Sequence, residues 1–287
     1  MSVTTGRLAE PPVWLGRIFD RIVCGVDGSE SSRIAVMQAA RLLAARRVLK
    51  LISVVEEMPI PWSGLSARSD LDRQFAEARC ALRDGLSQCP RAWSALLVGD
   101  PGQKLVWAAR EMDATLAVVG APASGRLGGF VLGDAGTHVL HNAPCSVLIA
   151  RKPADEEAFP GSIVVGHDGS AGAAAAVLVA KELAHRFDAA LRIVVATGGE
   201  PVDVDGLPPA EELDWSSSPP VDALESASSE ADLLVVGSRG LRDLRALGSV
   251  SEAIGHLAHC SVLVVRETPG PSRVESGVAD EVPDLEC

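Results

Sequence analysis

The chain repeats itself. Ile22-Val23-Cys24-Gly25-Val26-Asp27-Gly28-Ser29 returns 141 residues later as Ile163-Val164-Val165-Gly166-His167-Asp168-Gly169-Ser170, and the stretch from Gly133 to Arg151 returns 115 residues later as Gly248 to Arg266. Self-similarity of this kind means that one structural unit is built twice, and 287 residues divide into two domains of ordinary size. The offsets differ by 26, so the second copy is shorter between its two blocks. Ser29 to Gly120 spans 91 residues, whereas Ser170 to Gly237 spans 67; the remaining two residues are lost between Gly237 and Gly248. In the first copy this interval carries Leu71, Phe75, Ala78, Leu82 and Leu86 at three- and four-residue steps, a helical stripe. The second copy has Thr197 to Pro220 there, rich in Gly, Pro, Ser and acids, which reads as a loop. The second unit is therefore predicted to lack one helix.

Both copies otherwise alternate short apolar runs with helical stretches. The runs are 22–26, 49–55, 115–120 and 146–150 in the first, and 163–166, 191–196, 233–237 and 261–265 in the second. They are near-continuously apolar, as parallel strands covered on both faces must be. Strand and helix in alternation predict an α/β fold, an open and doubly wound parallel sheet in each half. The predicted domains are 18–151 and 161–267, with flexible tails at 1–17 and 268–287. RKPADEEAFP at 151–160, polar and bracketed by prolines, reads as the linker between them.

Composition narrows the function. Hydrophobic residues are 47% of the chain, enough to build two cores. A net charge of −12 repels a phosphate backbone or an anionic bilayer, and only 3% aromatic residues leave few stacking platforms, so nucleic acid and membrane are poor partners. The absence of a long apolar run or signal-peptide pattern predicts a cytoplasmic protein. Six cysteines without C-x-x-C pairing point to neither zinc nor a disulfide framework. His138, His141, His256 and His259 fall near the last helix of each copy, where packing is the simpler reading than metal ligation.

Ligands of an open parallel sheet bind beyond the carboxyl ends of its strands. Two segments of each copy reach that edge. Asp27-Gly28-Ser29 and Asp168-Gly169-Ser170 end a strand with a tight turn and a helix-capping serine; capping alone would account for them, and their recurrence favours ligand contact. The runs ending at Gly120 and Gly237 lead into glycine-bearing loops. That of the second copy holds Arg239, Gly240, Arg242 and Arg245 and feeds a helix beginning near Gly248-Ser249, which suits an anionic phosphate. Gly99-Asp100-Pro101 reads as another strand-to-helix turn, with no counterpart of equal quality in the second copy. No Walker A sequence, nucleophile elbow or His-Glu-x-x-His appears, so no catalytic residue is predicted.

These segments resemble the universal stress protein family, whose ATP-binding members carry Gly-x-x-Gly, nine residues, then Gly-Ser or Gly-Thr. The resemblance runs from about Asp20 to Arg266 in two units: the V-G-x-D-G-S opening, the V-V-G-S-R-G loop and the closing A-P-C-S-V-L or A-H-C-S-V-L strand. It implies two Rossmann-like domains of five strands each, ATP or AMP as ligand with Mg accompanying it, little catalytic turnover, and a role in stress adaptation. It also implies that the two domains pair through their last strands as an internal pseudo-dimer, and it leaves a homodimer open.

Both loops depart from that pattern. In the first copy Ala123 stands where the second glycine belongs, and Gly133 is followed by Asp134, whose carboxylate repels a polyphosphate. Asp27, Gly28, Ser29, Gly120 and Gly133 therefore make an impaired site. The second copy keeps Gly237, Gly240, Gly248 and Ser249, with seven residues between the second and third glycines instead of nine. Two missing residues either narrow a phosphate cradle or trim its outer bulge, and the spacing leaves both open. Asp168, Gly169, Ser170, Gly237, Arg239, Gly240, Gly248 and Ser249 form the better nucleotide site on this reading. The alternative is a degenerate member that binds no ATP and acts through protein contacts. This chain lacks the loop and the metal-holding carboxylates that an ATP-dependent ligase or pyrophosphatase would need, which leaves only slow ATP hydrolysis open.

Overall fold

The apolar runs become the strands of one sheet. In a computed structural model, which describes residues 15–45, 47–56, 66–121, 132–196, 213–238 and 247–266, the first repeat follows β1 (Arg21–Gly25), α1 (Glu30–Leu42), β2 (Val48–Val55), α2 (Ser66–Gln88), β3 (Trp93–Val98), α3 (Pro101–Glu111), β4 (Leu116–Gly120), α4 (Asp134–Asn142) and β5 (Ser146–Ala150). The second follows β6 (Ser162–His167), α5 (Ala171–Phe187), β7 (Ala190–Ala196), β8 (Asp214–Ser216), α6 (Pro220–Ser228), β9 (Leu233–Gly237), α7 (Ser249–Leu257) and β10 (Ser261–Val265). The strand order is β3-β2-β1-β4-β5-β10-β9-β6-β7-β8. Each half is a five-stranded parallel sheet whose connections diverge between β1 and β4, or between β6 and β9, the doubly wound pattern of two Rossmann-like units.

The halves meet through their last strands. β5 and β10 pair antiparallel, Leu148 opposite Leu263 with Val147 opposite Val264 and Ile149 opposite Val262. All ten of their residues are buried. Helices cover both faces, and each face has its own apolar layer: one under α1, α2 and α5, the other under α3, α4, α6 and α7. Both layers take residues from both repeats, so the cores run on through the middle of the sheet.

Among the described residues the second repeat has no counterpart of α2, as the length difference predicts; residues 197–212 of that interval lie outside the described set. The loop expected over Thr197 to Pro220 is not uniform, however. Asp214–Ser216 is β8, parallel to Val194–Ala196 of β7. Three residues are too few for a sheet pattern to be read from sequence. Pro220 opens α6 as Pro101 opens α3, although Asp100 caps α3 through Gln103 N (2.7 Å) and α6 has no side-chain cap.

The expected linker is not a loose tether. Phe159 has no exposed surface and belongs to the apolar layer shared by the two repeats, and Arg151 is buried with it. A single large apolar residue in a polar segment carries no periodicity, so its burial cannot be read from sequence. The amino-terminal tail also ends earlier than expected, since Leu15–Arg17 forms a short 3-10 turn with Leu15 buried. Residues 1–14 and 267–287 lie outside the described set.

Candidate functional site

In both repeats the Asp-Gly-Ser tripeptide turns the chain from the first strand into the next helix. Gly28 and Gly169 sit at φ +82° and +81°, a left-handed conformation that a side chain disfavours. Asp27 Oδ1 accepts from Ser29 N at 2.9 Å and from Ser29 Oγ at 2.6 Å, and Ser29 Oγ in turn accepts from Ser32 N at 3.1 Å to cap α1. Asp168 Oδ1 accepts from Ser170 N at 3.1 Å, and Ser170 Oγ caps α5 through Ala173 N at 3.2 Å. The turn and the cap thus account for much of the tripeptide's hydrogen bonding. Burial pushes the Asp27 carboxyl up, but bonds from the Ser29 hydroxyl and amide and from Ser32 outweigh it, and the group is held below its ordinary range.

Gly120 and Gly237 end β4 and β9 beside those same turns. A Cβ on Gly120 would collide with the backbone of Ser31, and one on Gly237 with the backbone of Gly172, so close approach to the first turn of α1 or α5 requires glycine at both positions. Gly133 and Gly248 cap α4 and α7 without any side-chain bond, and among the described residues no atom beyond its chain neighbours lies within 4 Å of a Cβ placed on Gly133. Ala123, Arg239 and Gly240, with Arg242 and Arg245, lie outside the described residues.

In the second repeat these pieces converge. Asp168 and Ser170 from the end of β6, Gly237 from β9 and Gly248 at the start of α7 line one cavity with Val194 and Ala196 of β7, and Pro220 and Leu224 of α6 close its apolar side. The cavity measures about 60 Å³. It lies where an open sheet of this winding places its ligand. Gly169 is exposed beside it and Ser249 is exposed at the first turn of α7. Sequence reasoning missed Pro220, Leu224, Val250 and Ser251. Their one signal was the repeat itself, since Pro220 and Leu224 answer Pro101 and Leu105: Leu224 packs on Gly166 as Leu105 packs on Gly25.

The first repeat differs at the same place. Asp134 is the first residue of α4 and puts its own carboxylate at the helix's positive end, a favourable position that an incoming anion would have to share. Gly136 leaves room for Leu132, which is buried against it. The second repeat has Ser251 at that position, and its hydroxyl donates to Gly237 O at 2.7 Å, tying the end of β9 to α7. Leu247, the counterpart of Leu132, stays half-buried. His138 and His141 lie on α4, His138 against Gly102 and His141 3.4 Å from Glu252, whereas His259 lies in the turn between α7 and β10, 3.9 Å from Glu225. No group of three or more metal-ligating side chains occurs among the described residues, and no described helix is long and apolar enough to cross a membrane.

Comparison with known proteins agrees with this geometry. The model of the Universal stress protein family matches residues 18–151 and 205–266, leaving out the segment that holds β6, α5 and β7. The chain is 28% identical to Universal stress protein Rv2623 of Mycobacterium tuberculosis over 296 residues, covering 86% of this chain and 96% of that protein. It is also 28% identical to Universal stress protein Rv2005c of the same organism over 290 residues, with 86% and 97% covered. A universal stress protein from Archaeoglobus fulgidus has the same fold, with a TM-score of 0.69 at 18% identity over 86% of this chain and 98% of that one. The chain belongs to the universal stress protein family.

Proposed function

We propose that this chain is a nucleotide-binding regulatory protein of stress adaptation, taking ATP or AMP at the second repeat's site and working in the cytoplasm without significant catalytic turnover. The observation that carries this is the cavity in which Asp168, Ser170, Gly237 and Gly248 meet beside the first turn of α7. Helix amides without a side-chain cap offer hydrogen-bond donors and a partial positive charge to a phosphate. The apolar wall of Val194, Ala196 and Leu224 offers a surface for a base or sugar. Ligand pockets usually measure roughly 300–1,000 Å³, so a nucleotide would lie only partly within these 60 Å³ and extend past Gly237 and Gly248. Mg would be held by the phosphates themselves, since the described residues offer no group of three or more His, Cys, Asp or Glu side chains to bind it. The first repeat, with Asp134 at its helix start and Leu132 over Gly136, serves as a structural partner.

A second reading, a degenerate member that works through protein contacts alone, draws support from the packing need for glycine at 120 and 237, which explains both residues without a ligand. Heat release separates the two. Purified chain is boiled and the supernatant run on ion exchange; adenine nucleotide at a substantial fraction of one per chain is expected. A nucleotide-free supernatant together with no uptake at millimolar ATP would leave only the second reading.

A further inference from the structure

Each repeat's last strand runs into an arginine whose side chain serves the other repeat. Arg151, directly after β5, is buried, and its guanidinium reaches the far end of α7: Nη2 donates to Gly255 O at 2.6 Å and Nη1 to Cys260 O at 3.1 Å. Arg266, directly after β10, does the same for α4, donating to Leu140 O and, at 2.6 Å, to Ala143 O. The backbone amides of both arginines donate at 3.0 Å to the hydroxyl of the serine opening the other repeat's last strand, Ser261 or Ser146. A helix ends with carbonyls that lack partners in the helix, and a cation there is favourable. Here the cation comes across from the other repeat.

The opposite end of α7 is the second repeat's candidate site, with Gly248 as its cap and Ser251 bonded to Gly237 O. The helix has nine residues and is about 13 Å long, so it moves as a unit. The first repeat also packs along its length. Leu140 and Ile149 lie 2.8 and 3.1 Å from where a Cβ on Gly255 would stand, and His141 Nε2 lies 3.4 Å from Glu252 Oε1.

We propose that Arg151 is a positioning residue for the second repeat's site: from the first repeat it fixes the end of α7, and so sets where the amides at Gly248–Ser251 stand relative to Gly237 and Ser170. The proposal rests on the nucleotide reading above. Arg266 is its internal control, because it holds α4, whose first turn carries Asp134.

The test is calorimetric titration of ATP into the full chain carrying Arg151→Met or Arg266→Met, with the melting temperature of each. Arg151→Met is expected to weaken ATP about tenfold more than Arg266→Met does at a comparable loss of melting temperature. Arg151→Lys, which keeps the charge but loses the two-pronged fork, should recover part of the affinity. Equal weakening in the two methionine variants overturns the role. Where Arg151→Met fails to fold, Arg151→Lys against Arg266→Lys decides by the same comparison. A wild-type chain that takes up no ATP refutes the nucleotide reading instead. Hydrogen exchange at the amides of 249–252 then carries the test: faster exchange in the Arg151 variant than in the Arg266 variant upholds the clamp, and equal exchange overturns it.

Discussion

Gly120 and Gly237 face the backbone of the helix that follows the first strand of their repeat, and neither leaves space for a methyl group. Overpacking of this kind costs about 1–3 kcal/mol. Gly120→Ala and Gly237→Ala are therefore expected to lower the denaturant midpoint by amounts corresponding to that range, while Gly133→Ala, with open space around it among the described residues, should stay within about 0.5 kcal/mol of wild type. A tolerated Gly237→Ala would mean that the strand end can back away from α5. Asp27 gives a pH signature. Its carboxyl is held below the ordinary aspartate value of about 3.9, so its contribution to stability is present above that value and is lost as pH falls through the lower folded-state value. Melting from pH 5 down to pH 2 should show a shallower acid loss for Asp27→Asn than for wild type. Identical slopes would remove the turn's hydrogen bonds from the stability of the fold. The buried thiols are quiet by the same physics: desolvation pushes Cys145 and Cys260 up to about 12, which makes both poor nucleophiles at neutral pH.

Among the elements, what could be read in advance was what burial imposes on composition. β1, β4, β5, β6, β9 and β10 are buried on both faces, so their runs are continuously apolar and stand out from any sequence window. α2 was legible from its stripe, and the missing residues of the second repeat gave its absence there. β8 was not legible, because Asp214, Trp215 and Ser216 are held by the edge of β7 and carry no pattern of their own. Phe159 was hidden for the opposite reason, as one large apolar side chain within a charged connector that joins a core cluster drawn from both repeats. The candidate site divides in the same way. Asp168-Gly169-Ser170 announces itself because turn and cap chemistry is local, whereas Leu224 and Ser251 come from α6 and α7 and meet it only once the sheet is assembled. The arginines after β5 and β10 were visible as a repeated position, but not as clamps, since their targets belong to the other repeat.

On the scale of the whole molecule the two repeats share one sheet and two apolar layers, and the connector between them is packed. They should unfold together. Phe159→Ala is expected to cost about 3–5 kcal/mol and to move a single calorimetric transition downward as a whole; two separated transitions in the wild-type chain would show instead that the halves are independent. The same architecture makes the functional proposal asymmetric, with one repeat carrying the ligand and the other bracing it. Calorimetric titration of ATP into the full chain and into Ser249→Asp, which gives the second repeat the aspartate of the first, tests that asymmetry directly. One ATP per chain, lost in Ser249→Asp, is the predicted result; two per chain, or an affinity untouched by the new carboxylate, would contradict it.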